Sequence, residues 1–167
     1  YAKEKGLSPV HFHDHHKNSK ATKENITKYF YNKSPKFVFF NGHGNENVIC
    51  GHGNKEIILI NDNEHLLKDK IIYVVACDCG KKLGHSIVNT GKAKAFIGYK
   101  EKFCIPVDES RICTPLKDNL PRAIKEYSNL IATSIIDGKT AEEAVKAGKI
   151  KFFKWFKFFQ EQDNLFL

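Results

Sequence analysis

The 167-residue chain has no methionine, a single tryptophan and only five prolines. A translated chain opens on methionine and this one opens on Tyr1. It is therefore expected to be a processed or trimmed chain, or a stretch of something longer. No apolar run approaches the length needed to span a bilayer, and no signal-peptide pattern opens the chain. The expectation is an intracellular, cytoplasmic protein. The cysteines lack the density of a secreted disulfide scaffold. Cys50, Cys77, Cys79, Cys104 and Cys113 make an odd number, which suits free thiols in a reducing compartment. No compact Lys/Arg block with interleaved aromatics appears before residue 149. The net charge of +8 is thus expected to be a solvated cationic surface rather than a nucleic-acid footprint. With 41% apolar and 28% charged residues, the chain is neither disordered nor fibrous.

What is present is an alternation of strand and helix signals. Ala2 to Leu7 reads as the tail of a helix and Val10 to Phe12 as a short strand. Thr22 can cap a helix through Ile26, Tyr29 and Phe30, and Ser34-Pro35 ends it. Lys36 to Phe40 is a continuous apolar run, as expected of a strand buried on both faces. Val48 to Cys50 and Ile57 to Ile60 flank a turn holding Gly51 and Gly53, a hairpin pattern. Asp62 or Asn63 can cap a short helix, Glu64 to Leu67. Ile71 to Ala76 is a second buried strand, Lys81 to Asn89 a helix, and Ala93 to Tyr99 a third strand. Leu120 to Ile136 is a long amphipathic helix. Thr140-Ala-Glu-Glu143 is a capping box for the last one. This order implies an α/β domain with a mostly parallel sheet. Right-handed crossovers then put helices on both faces, and the functional crevice lies beyond the carboxyl ends of the strands.

Two strands end in unusual chemistry. His43 follows the first apolar run and Cys77 ends the second. A thiol becomes nucleophilic when a neighbouring imidazole takes its proton, and a helix opening beyond it assists. Gly44 allows the amide after His43 to approach a carbonyl closely. The Gly44 and Cys77 amides could then serve as an oxyanion hole. Singly, a strand-end cysteine is a small core residue and a histidine beside glycine is a turn residue. Adjacent parallel strands would bring the two together.

Phe37-Val-Phe-Phe-Asn-Gly-His-Gly-Asn45 resembles the strand plus His-Gly motif of caspase-like cysteine peptidases. Ile71-Ile-Tyr-Val-Val-Ala-Cys-Asp-Cys-Gly80 resembles their second motif, a strand ending Ala-Cys-x-x-Gly. The look is nearest to the CHAT and gingipain types and covers about residues 22 to 148. The resemblance implies a caspase-like three-layer sandwich over 1–167, with a first strand lying upstream of this numbering. It implies a cysteine endopeptidase with Cys77 as nucleophile and His43 as base, working as a dyad through a thioester, with no cofactor. Ala-Cys-x-x-Gly selects Cys77 over Cys79. Glu101, Asp108 and Glu109 follow the third strand, where such folds build the P1 pocket, and would favour Lys or Arg there. The partners implied are a protein or peptide substrate and a further domain or chain of the same protein, with no nucleic acid and no membrane. Two features depart from the family. The His-to-Cys interval of 34 residues is short, and a second Gly-His-Gly-Asn stands at 51 to 54. His52 is assigned to the hairpin tip.

Other readings stand beside this one. Cys50, His52, Cys77 and Cys79 are zinc-ligand types, though more tightly spaced than structural sites usually are. A basic, zinc-stabilised nucleic-acid-binding module is therefore the rival, and a catalytically inactive caspase-like interaction domain a third possibility. His11, His13, His15 and His16 around Asp14 resemble the His-x-His-x-Asp-His run of metallo-hydrolases. Asp14 sits one place early, and a solvated loop is the preferred reading. In the last helix, Val145, Gly148, Phe152, Phe156 and Phe159 form one stripe expected to pack inward. Phe153, Trp155 and Phe158 widen the apolar surface beyond it, which suits a membrane-surface role and, as the preferred reading, contact with a further domain.

Overall fold

The computed structural model describes residues 18–106, 113–114 and 118–163. The expected elements at Ala2 to Leu7 and Val10 to Phe12, and the His11–His16 cluster, lie outside these residues. The chain forms two compact units, Tyr1–Phe103 and Cys104–Leu167. No helix among the described residues is long and apolar enough to cross a membrane.

The first unit is α/β. Helix α1 (Lys23–Lys33) starts where the Thr22 side chain accepts the Asn25 amide, and ends where Ser34 turns left-handed at φ 40°. Strand β1 (Phe37–Asn41) leads into a small antiparallel sheet of β2 (Gly44–Asn45), β3 (Val48–Cys50) and β4 (Glu56–Leu59). A 3-10 turn over Glu64–Leu67 precedes β5 (Ile71–Val75), then come α2 (Leu83–Asn89) and β6 (Ala95–Ile97). The parallel sheet has the order β1-β5-β6.

Strand β5 lies in the middle, and Ile72, Tyr73, Val74 and Val75 are all buried. That is what an apolar run with no polar alternation requires. One face, carrying Phe40, Ile72 and Val74, packs with Ile26 and Phe30 of α1, Leu83 and Ile87 of α2, and Ile49, Ile57 and Ile58 of the hairpin. Each of these apolar side chains contributes about 1.5–3 kcal/mol when fully buried.

Three expectations need correction. Strand β1 is not buried on both faces: Phe39 is 41% exposed. Among the described residues β1 pairs only with β5, so it is an edge of this sheet. The third strand is three residues rather than seven, because beyond Ile97 the chain leaves the ladder to pair with the turn after β5. The helix expected from Glu64 is a 3-10 turn, and Asn63 caps nothing. Its buried side chain ties the turn to β4, accepting the Leu59 amide and donating to the Ile57 carbonyl.

The second Gly-His-Gly-Asn is explained by packing. A Cβ at Gly51 would lie 2.1 Å from the Ala21 carbonyl oxygen, and the His52 amide donates to that same oxygen. Gly53 sits at φ 62° in the hairpin tip, and the His52 side chain is exposed there.

In the second unit α3 (Asn119–Ile136) and α4 (Ala141–Asp163) pair as a hairpin. The capping box closes in both directions: the Thr140 amide donates to the Glu143 carboxylate and the Glu143 amide to Thr140 Oγ1. Gly148 lets α4 close on α3, since a Cβ there would stand 2.7 Å from Ile131. The expected inward stripe is rotated. Phe152 does meet Tyr127, but Phe156 is 49% exposed and Trp155 turns inward instead. Trp155 Nε1 donates to Glu126 at 3.0 Å, and Lys151 and Arg122 bind the same carboxylate at 2.9 Å each.

Hydrogen bonds from Lys151, then Arg122, with a smaller one from Trp155, pull the Glu126 carboxyl down to about 2 from an ordinary 4.5. A depressed carboxyl stabilises the folded state above its unfolded value and loses that contribution as pH falls through the folded one. Acid titration should therefore loosen the α3–α4 hairpin between about pH 4.5 and about pH 2. Emission from Trp155, the sole tryptophan, reads this directly. In Glu126→Gln the change over that window should be flattened.

Candidate functional site

The site lies where β1 and β5 end. The ladder pairs Phe37 with Ile71 and Asn41 with Val75, an offset of 34 residues throughout. His43 and Cys77 are separated by the same 34. Each lies two residues past the last paired position, where the chain has already left the ladder. The interval that looked short is thus the register of the sheet itself.

On the β1 side, Gly42 still donates to the Val75 carbonyl at 3.1 Å, and the chain then crosses into the hairpin. The His43 carbonyl accepts the Cys50 amide at 2.9 Å. His43 and Cys50 therefore form a hydrogen-bonded pair, and Gly44 opposite Ile49 forms a non-bonded one, so the Gly44 N–H turns away from β3. Gly44 is pressed against the Cys77 side of the site. A Cβ there would stand 2.6 Å from Cys79 Sγ, 2.8 Å from the Val48 carbonyl oxygen and 3.2 Å from Ala76 Cβ. The residue after His43 thus lies close to the residue before Cys77, with no room for a side chain between them.

On the β5 side the chain turns sharply. Asp78 adopts φ 57°, a left-handed conformation that a short polar side chain tolerates better than most. Its carboxylate pairs with Lys81 at 2.7 Å. The Asp78 amide donates to the Glu101 carbonyl and the Gly80 amide to the Tyr99 carbonyl, so residues 99–101 brace the turn. Gly80 is needed for this closeness, because a Cβ would come within 3.0 Å of the Tyr99 oxygen. The helix expected to open right after Gly80 begins only at Leu83, whose amide donates to the Glu46 carbonyl of the hairpin. Turn residues 78–82 intervene, so no helix N-terminus adjoins the Cys77 thiol.

Cys77 is partly exposed. Its sulfur accepts the Phe103 amide at 3.3 Å, and its S–H reaches the Phe103 carbonyl at 3.8 Å. The Cys77 amide itself makes no backbone hydrogen bond among the described residues. By strand alternation the Cys77 side chain shares the face of Tyr73. There Phe39 stacks on Tyr73 at 5.0 Å, the Tyr73 and Tyr99 hydroxyls lie 3.4 Å apart, and Tyr99 meets Phe103 at 4.7 Å.

The remaining expected residues fall as follows. The His43 side chain is exposed and makes no hydrogen bond to Cys77 among the described residues. Glu101 is exposed, with its carbonyl engaged by Asp78. Asp108 and Glu109 lie outside the described residues. Among the described residues no three His, Cys, Asp or Glu side chains, those of Cys50, His52, Cys77 and Cys79 included, are placed to hold a metal ion. Phe103 and Tyr99 were missed by sequence reasoning. Nothing marks them in the sequence except their place after the third strand.

Cys79 is fully buried in the core, with its sulfur 3.6 Å from the Val48 carbonyl. Burial first, and then the proximity of Cys50, Cys77 and Asp78, push it up to about 12. Burial and Glu56 raise Cys50 as well. Iodoacetamide near neutral pH should therefore spare Cys79 in the folded protein. Peptide mapping after brief labelling should find Cys79 modified only once denaturant is added.

No family model, no curated protein and no solved structure matches this chain.

Proposed function

We propose that the protein is a cysteine endopeptidase of the caspase-like type, with Cys77 as nucleophile and His43 as general base. The observation that carries this reading is the register of β1 against β5, whose 34-residue offset leaves both residues two positions beyond the carboxyl ends of adjacent parallel strands. The contact of Gly44 with Ala76 supports it, since it closes the gap between the two strand ends.

In this reading the Cys77 sulfur attacks the scissile carbonyl carbon while His43 takes the thiol proton. The carbonyl oxygen becomes an oxyanion and is held by the Gly44 and Cys77 N–H groups, both turned out of the backbone ladders. Collapse of the tetrahedral adduct breaks the C–N bond, and His43 delivers its proton to the leaving amine. The remaining thioester is then hydrolysed by a water that His43 deprotonates, and the thiol is restored. No orienting third residue enters this scheme. The aromatic patch of Phe39, Tyr73, Tyr99 and Phe103 lies on the Cys77 face of the sheet, where a substrate side chain would run.

The three-layer caspase-like sandwich belongs to the same proposal. The three-stranded parallel sheet and the hairpin after His43 are its supporting features.

Turnover of a mixed fluorogenic peptide set tests the assignment. Cys77→Ala should abolish hydrolysis. His43→Ala should lower kcat on the order of 10⁴-fold or more, as loss of a nucleophile's base does. Cys79→Ala and His52→Ala should keep most of the activity. Survival of turnover in Cys77→Ala, with collapse in Cys79→Ala, would reverse the roles.

Specificity follows from the stretch that braces the turn. Glu101, exposed in that stretch, supplies a carboxylate for a basic P1 side chain. A P1-diverse library should show cleavage after Lys and Arg, weakened in Glu101→Gln. A preference for acidic or apolar P1 residues would remove Glu101 from the pocket.

A further inference from the structure

The α3–α4 hairpin presents a surface that the peptidase reading does not use. Helix α4 turns Ala144, Gly148 and Trp155 towards α3 and leaves a row of large apolar side chains outside. Ile150 is 53% exposed, Phe153 61% and Phe156 49%. Lysines share this outward surface. Lys149, Phe153, Phe156 and Lys157 fall at i, i+4, i+7 and i+8, one side of a helix. Lys146 and Lys154 are exposed beside them. From Ala144 to Gln160 the helix carries no acid at all. The neighbouring carboxylate of Glu126 is already committed to Arg122 and Lys151.

A protein partner and a lipid surface ask for different things here. The buried core of a protein interface is depleted in lysine, because each ammonium must be desolvated and paired. An anionic bilayer takes lysine and phenylalanine side by side. The ammonium groups snorkel to the phosphates on long apolar stems while the rings settle at the headgroup boundary. Interleaving at every turn therefore favours lipid. Since α4 is too short of apolar residues to span a bilayer, it would lie along the surface.

We propose that the outward face of α4, centred on Phe153 and Phe156 with Lys149, Lys154 and Lys157 around them, docks the protein on an anionic lipid bilayer. This stands against the expectation of no membrane partner, and it does not depend on the peptidase reading.

Co-sedimentation of the 167-residue protein with phosphatidylcholine vesicles, with and without phosphatidylserine, is the test. Binding should require phosphatidylserine and fall steeply with added salt. Phe153→Ser/Phe156→Ser should weaken partition on the order of tenfold, as loss of buried apolar area does, with helicity by circular dichroism unchanged. Lys149→Gln/Lys154→Gln/Lys157→Gln should remove the preference for phosphatidylserine and leave the helix intact. Equal binding to both vesicle types would overturn the proposal, as would a double Phe variant that binds like the parent. Retention on an immobilised acidic polypeptide without any vesicle binding would also overturn it, assigning the face to an acidic protein.

Discussion

The ladder between β1 and β5 determines where everything at the strand ends can go. Its register is set well below the site, by Phe40, Ile72 and Val74 facing the core together. A slip of one residue would turn Phe40 outward and leave a hole beneath it, which close-packed interiors do not tolerate. It would also move His43 past Cys77 by roughly 3.3 Å. Core packing therefore fixes the register from which the segments carrying His43 and Cys77 depart.

Two further segments then clasp Cys77 from opposite sides. The hairpin after β1 brings Gly44 onto Ala76 and Cys79. The stretch after β6 binds the turn through the Tyr99 and Glu101 carbonyls, and reaches the sulfur through Phe103. These backbone bonds explain two surprises together. Residues 99–103 give up strand geometry to brace the turn, and the turn gives up helical geometry to receive them. Cys79 is drawn into the core by the same fold of the chain, which is why the two thiols of one Cys-x-Cys have such different surroundings.

Local signals made much of this legible. Thr22, the Thr140–Glu143 box, the Gly-rich hairpin and the apolar runs of β1 and β5 each act within a few residues, and each appears close to its expected place. That β1 and β5 are neighbours could be anticipated from the unusual residues placed just beyond both of their ends. What was not legible depends on distant partners. The exposure of Phe39 reflects what lies beside β1 in the sheet, not the apolar run itself. The late start of α2 depends on Tyr99 and Glu46, far away in sequence. Trp155 and Phe156 are both large and apolar, so periodicity cannot choose which faces α3. The Glu126 carboxylate chooses, by accepting the indole N–H. Phe103 could not be found at all, because it acts through its backbone.

Gly44 also shapes how this sequence can change over time. Every replacement for glycine adds at least a Cβ, and at this position that atom meets a sulfur, a carbonyl oxygen and a methyl group at once. There is no conservative neighbour and no graded series of partial solutions. Gly53 is different: nothing lies within 4 Å of its missing Cβ, and only its left-handed backbone resists exchange, a conformation asparagine enters readily. Of two glycines in identical tetrapeptides, one is open to asparagine and the other is locked. A library of random variants would separate them without any assay of chemistry.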